Sequence, residues 1–146
     1  MSLKQSLQMG ALAGVFACAS FAAYAMDQTP APEGAEVYFI APGDEATLTN
    51  PVTIQFGLRG MGVAPAGVEQ MNTGHHHLLI NMPLDQVDLT AGIPSDDNHR
   101  HFGGGQTEVT LDLPAGTHTL QLLVGDHNHI PHDPAIVSQV ITVTVE

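Results

Sequence analysis

Cysteine, tryptophan and positive charge are almost missing from this sequence. Among 146 residues there is one cysteine, no tryptophan and only three lysine or arginine residues. The cysteine, Cys18, lies in an apolar N-terminal run that reads as a removable export signal. What remains then has no thiol, which excludes a disulfide framework, a thiolate metal ligand and a cysteine nucleophile. The fold must rest on its apolar core. The strong bases are Lys4, Arg59 and Arg100, set against 15 acids, and the formal charge is −12 at pH 7. Such a chain repels nucleic acid and anionic lipid and attracts cations. Two patterns are missing as well. No long segment keeps the 3.6-residue period of an amphipathic helix. The N-terminal run is itself short and Ala/Gly-rich for a membrane span, so no span is expected once it is removed.

That run has the layout of a signal peptide. Lys4 supplies a positive start, residues 9–25 are apolar or small apart from Ser20 and Tyr24, and Ala23-Tyr24-Ala25 fits small-x-small cleavage. Cleavage after Ala25 predicts a periplasmic or secreted protein beginning at Met26. Lipidation of Cys18 is the alternative, and the bulky Phe16 fits it poorly. The expected organisation is therefore a signal peptide over 1–25, a flexible, proline-containing leader over 26–34, and one domain over 35–146. A chain of that size can bury a working core.

From Ala35 the sequence reads as short strands separated by Gly, Pro, Asn and Asp. Val52, Ile54, Phe56 and Leu58 alternate with polar or small residues, giving one buried and one wet face. The same period runs through Val109, Leu111 and Leu113, and through His118, Leu120, Leu122 and Val124. Strands are predicted over 37–40, 46–48, 51–58, 75–81, 107–113, 117–124 and 135–145. Residues 60–74 and 83–98 read as long loops, which in a compact domain tend to carry function. The fold class expected is all-β: an immunoglobulin-like antiparallel β-sandwich of six to eight strands. A small barrel is the alternative.

All nine histidines lie beyond residue 25, and six of them form His-x-His pairs: His75/His77, His99/His101 and His127/His129. On an extended chain, residues i and i+2 point to one face, so each pair can close on a single ion. Zinc takes four ligands, or three and an open position. The candidate metal ligands are His75, His77, His101, His127, His129 and His132. By strand phase His76 and His118 belong to the inward face and read as core or rim residues. Asp126, Asp133 and Glu108 are placed to accept the second ring N–H of a ligating imidazole. Imidazole suits copper and zinc, and affinity for divalent ions peaks at copper. Met61, Met71 and Met82 are near in sequence, and a thioether would favour reduced copper, although methionine more often fills a core. Copper is the first choice and zinc the second. The Gly103-Gly104-Gly105 run lacks the lysine and the helix of a phosphate loop, which excludes nucleotide binding.

The segments GMGVAPAG (60–67), NTGHHHLLI (72–80), HFGGGQTE (101–108), PAGTHTLQLLVGDHNHIPHDP (114–134) and VITVTV (140–145) together resemble the bacterial domain-of-unknown-function family 4399, found in exported proteins. The resemblance runs from about Val37 to Val145. It implies a single envelope domain and supplies no mechanism. The family's His-rich motifs match His75, His76, His77, His101, His118, His127, His129 and His132, and His99 falls outside them. The function expected is an exported periplasmic metal-binding module for sequestration, delivery or sensing, with a periplasmic protein as a possible partner. The alternative is an adhesion or interaction domain whose histidines form a network or a pH-responsive surface. An enzyme is not expected. The metal brace of copper oxygenases needs an N-terminal histidine, and Ser95 and Ser138 lack a nucleophile elbow. Glu108 could act as a base in zinc hydrolysis, without further support.

Overall fold

Alternating apolar residues build two sheets that face each other across a core. The computed structural model describes residues 27–146, so the expected signal segment and Cys18 lie outside the described residues. The strands are β1 (Glu36–Ala41), β2 (Ala46–Leu48), β3 (Val52–Arg59), β4 (Gly62–Val63), β5 (Thr73–Ile80), β6 (His99–His101), β7 (Glu108–Leu111), β8 (Gly116–Gly125) and β9 (Ile141–Val145). One turn of 3-10 helix, Leu84–Gln86, is the only helical element among the described residues. The smaller sheet has the order β1-β3-β7 and is antiparallel. The larger runs β2-β9-β8-β5-β4, with β6 also paired to β5. Two of its pairings, β2 with β9 and β4 with β5, are parallel. The protein is thus an all-β sandwich of mainly antiparallel strands, as the alternation predicts, with nine strands among the described residues where six to eight are expected.

Val37, Ile54 and Phe56 from the small sheet meet Leu78, Leu120, Leu122 and Val143 from the large one. Burying one such side chain contributes about 1.5–3 kcal/mol. The outer face of the large sheet is covered too. Leu79 and Leu123 on that face pack with Val87 and Ile93 from the long connection after β5. As a result β5 is buried on both faces from Gly74 to Ile80. A strand sandwiched in this way need not alternate, which is why the TGHHHLLI segment shows no clean period.

Three departures from the sequence reading bear on the site. First, β4 falls inside the expected loop 60–74, and β6 follows the expected loop 83–98, where no strand is expected. Strands of two and three residues are too short for alternation to register. Second, the last strand pairs regularly only from Ile141, not from Ala135. The Ser138 hydroxyl accepts the Leu122 N–H at 2.9 Å and so interrupts the ladder. Upstream of it, only an isolated bridge joins Val137 to Leu123. Third, the leader is docked rather than loose. Residues 28–31 run alongside 131–133, with the Asp133 N–H donating to the Thr29 carbonyl at 3.0 Å and Ala31 N–H to the Asp133 carbonyl at 2.9 Å. The Gln28 amide reaches the Leu89 and Pro131 carbonyls at 2.7 and 3.0 Å. Satisfied backbone groups fix a segment that composition alone reads as a linker.

Candidate metal centre

The site grows from the pairing of β5 with its neighbours. His75 and His77 share the outer face of β5 by the two-residue period. β8 runs antiparallel on one side, setting His75 opposite Gly125 and His77 opposite Leu123. β6 runs antiparallel on the other side and sets His101 directly opposite His77. The glycines make room for the rings. A Cβ built on Gly125 would lie 2.9 Å from Nε2 of His77, and one on Gly103 would lie 2.7 Å from Nε2 of His101. Any side chain at either position would collide with an imidazole.

Three Nε2 atoms converge. That of His75 lies 3.0 Å from Nε2 of His77 and 3.2 Å from Nε2 of His101. The ligating nitrogens of the three residues all lie within 4.8 Å of one another. His75 and His77 have no solvent exposure at all. The His129 ring closes over the group, with its centroid 4.7 Å from that of His101 in a stacked arrangement and 5.1 Å from that of His75. Nδ1 of His75, His77 and His129 is buried without a hydrogen-bond partner. Leaving such a group unpaired costs about 1–3 kcal/mol, so four rings gathered in this way demand an explanation beyond packing.

A tight turn delivers His129. Its N–H donates to the Asp126 carbonyl at 2.9 Å, and the Asp126 N–H donates to the Ile130 carbonyl at 2.9 Å. The Asp126 carboxylate, itself buried, accepts the N–H groups of Asn128 at 2.8 Å and Ile130 at 3.0 Å. His129 has φ of 66°, a left-handed conformation uncommon for a residue with a side chain. The Ile93 N–H donates to the His129 carbonyl at 2.8 Å and pins the turn from above.

Burial above all keeps His75, His77 and His101 neutral. Burial, reinforced by the neighbouring imidazoles His129 and His101, lowers the pKa of His75 from its ordinary 6.5 to about 4. Burial, then His75 and His101, lowers that of His77 to about 2. His101 is lowered by burial and by His129. At neutral pH a cation therefore has no imidazolium proton to displace, and a ring whose Nε2 donates in these contacts ligates once its single proton sits on Nδ1. For Asp126 burial works toward a higher pKa, but hydrogen bonds from Thr29, Ile130 and Asn128 outweigh it and keep the carboxyl ionised.

Of the six candidate ligands, His75, His77, His101 and His129 come together. His127 does not join them: its ring bonds the Asn128 amide at 2.9 Å at the loop surface. The turn that brings His129 inward breaks the extended i, i+2 geometry, so the two rings part. His132 is buried on the other side of β5, where a Cβ on Gly74 would meet its ring at 3.1 Å. His99 lies two register positions away, opposite Leu79, with Nδ1 2.8 Å from the Asp96 carboxylate. His76 packs on Phe56 at 4.7 Å between the sheets, and His118 bonds Asn81 and the Pro114 carbonyl at the core's rim. The methionines are elsewhere. Met61 packs on the inner core, Met82 on the outer cluster, and Met71 is 82% exposed. Glu108 bonds Gln55 on the small sheet, and the Asp133 side chain is exposed. Asp126 holds backbone amides rather than a ring nitrogen. The sequence signal for the residue opposite His77 was present in the His-x-His spacing. What selects His101 over His99 is the register of β6.

A family model matches residues 54–146, well over half the chain. This chain belongs to the DUF4399 family, a domain of unknown function. The DUF4399 match begins at Ile54, later than the resemblance read from Val37, so β1, β2 and residues 28–31 lie outside it. All four clustered histidines lie inside. No curated protein and no solved structure matches the chain.

Proposed function

We propose that this protein is an exported, non-catalytic metal-binding module. In this reading a divalent copper or zinc ion sits among Nε2 of His75, His77 and His101, with His129 completing the set. One observation carries it. Nitrogens 3.0 and 3.2 Å apart match the edges of a tetrahedron of ligands around one ion, about 3.3 Å for metal–nitrogen bonds of about 2.0 Å. Copper stays the first choice because all-imidazole sites follow the general affinity order for divalent metals. The thioether argument for reduced copper has no counterpart in the methionine positions. Burial of His75 and His77, with His129 above, favours a closed site that holds a metal over an open site that turns over substrate. The signal-like N-terminus and the acid-rich composition support work in the periplasm, where cations must be captured, handed on or sensed.

The direct ring-to-ring contacts favour one competing reading, a metal-free histidine network inside an adhesion or interaction domain. Elemental analysis of protein purified without an affinity tag, followed by Cu(II) and Zn(II) titration, separates the two. The metal reading expects one ion per chain, lost in His75→Ala and His77→Ala and removed by chelators. A correctly folded wild-type protein that takes up neither ion supports the network and ends the metal reading.

A further inference from the structure

The segment at residues 28–31 stands outside the family match yet touches the loop that carries His129. The Thr29 hydroxyl donates to the Asp126 carboxylate at 2.7 Å. The other oxygen of that carboxylate is the one that accepts Asn128 N–H and Ile130 N–H. Gln28 and the Pro30–Asp133 bridge fasten the same strap to residues 131–133, directly after the turn. One side chain therefore links the N-terminal strap to the geometry of His129. The turn needs this support, because His129 is held in a left-handed backbone conformation that is costly without surrounding constraints.

We propose that residues 28–31 act as a latch on the metal centre: Thr29 locks Asp126, Asp126 locks the turn, and the turn holds His129 over the three strand-borne imidazoles. This rests on the metal reading above. With the latch closed, the ion has a fourth ligand and His129 narrows its access to solvent. With it open, His129 withdraws and a three-ligand, accessible site remains, which is the state suited to loading or handing over an ion. The latch is a positioning device and does not itself ligate. A partner protein that displaces the strap would release metal without touching a ligand.

The test pairs Thr29→Val, which removes the hydroxyl at similar volume, with Thr29→Ser, which restores it. The purified proteins are compared in two measurements. Amide hydrogen exchange on the metal-free chain reads the turn. Chelator-driven loss of Zn(II) from the loaded chain reads the site. Thr29→Val is expected to speed exchange at Asn128, His129 and Ile130 while leaving Leu78 and Leu122 unchanged. It should speed zinc loss about tenfold, the factor that corresponds to one hydrogen bond to a charged group, and Thr29→Ser should return both to wild-type values. Faster exchange with an unchanged zinc off-rate would show that the turn does not gate the ion and would overturn the latch alone. Unchanged exchange would show that the strap does not hold the turn. A wild-type chain that takes no zinc or copper would overturn the metal reading and the latch together, so the two failures are told apart by the wild-type control.

Discussion

Replacing His77 by leucine exchanges a fully buried imidazole, whose Nδ1 has no partner, for an apolar side chain of similar size. The outcome expected is opposite for stability and for binding. The metal-free variant should melt no lower than wild type in calorimetry, because an unsatisfied buried polar group has gone. Its affinity for Cu(II) or Zn(II) should fall by more than about 100-fold, since a lost ligand costs more than a lost ligand-orienting group. His127→Ala is the matched control. Its ring contacts Asn128 near the surface, so binding should stay within about threefold of wild type in the same titration, as for other substitutions away from a site. A His127→Ala protein that loses its metal would return that residue to the ligand set. The six-ligand expectation from sequence treated His127 and His129 as equivalent, on the pattern of His75 and His77. At the residue scale they are not, because extended geometry persists in β5 and fails at the Asp126 turn.

At the scale of elements, β5 is the organising strand. One edge is shared by β4 and β6 and the other is taken by β8, so three chain segments lock the position of His75 and His77. The glycines opposite the rings are part of this design. Gly125→Ala would place a methyl group 2.9 Å from Nε2 of His77 and 3.3 Å from Cα of His129. Overpacking of this kind costs about 1–3 kcal/mol, and the displaced rings should weaken metal binding in parallel. Both effects are measurable on one sample by chemical denaturation and titration. Gly92→Ala, whose nearest neighbour is the Asn128 carbonyl at 3.8 Å, should leave both unchanged. The sandwich core gives a separate check. Leu122→Ala, fully buried between the sheets, should cost about 2–5 kcal/mol in denaturant unfolding. The long strands β3 and β8 were legible in the sequence because alternation over eight or ten residues is unambiguous. β4 and β6 were not, since strands that short are defined by their partner's register.

The whole molecule couples folding to protonation. Burial lowers His75 and His76 to about 4 and His77 to about 2, against 6.5 in an unfolded chain. Between those values the unfolded state binds more protons, so stability rises with pH across that window. The contribution is complete above pH 6.5 and is lost as the pH falls toward 4. Each of the two rings lowered to about 4 contributes stability that is lost over that range. Calorimetric melting of metal-free protein should therefore drop steeply between pH 6.5 and 4, with proton uptake on unfolding. A flat profile would contradict the neutral, buried cluster. Metal acts in the opposite direction: an ion that binds only the folded chain stabilises it by about 2.7 kcal/mol at a hundred times its dissociation constant. A chelator should abolish that gain.

Composition and periodicity were enough to specify a disulfide-free, acidic β-sandwich with histidines concentrated in three short stretches. Those features depend on residue type and on the two-residue period of a strand, both of which are local. Which histidines meet was decided by long-range pairing: the register of β5 against β6 and β8, and the turn at Asp126 that turns His129 inward while His127 stays out. The strap at residues 28–31 belongs to the same class. Its composition is that of a linker, and only hydrogen bonds to residues about a hundred positions away make it part of the site.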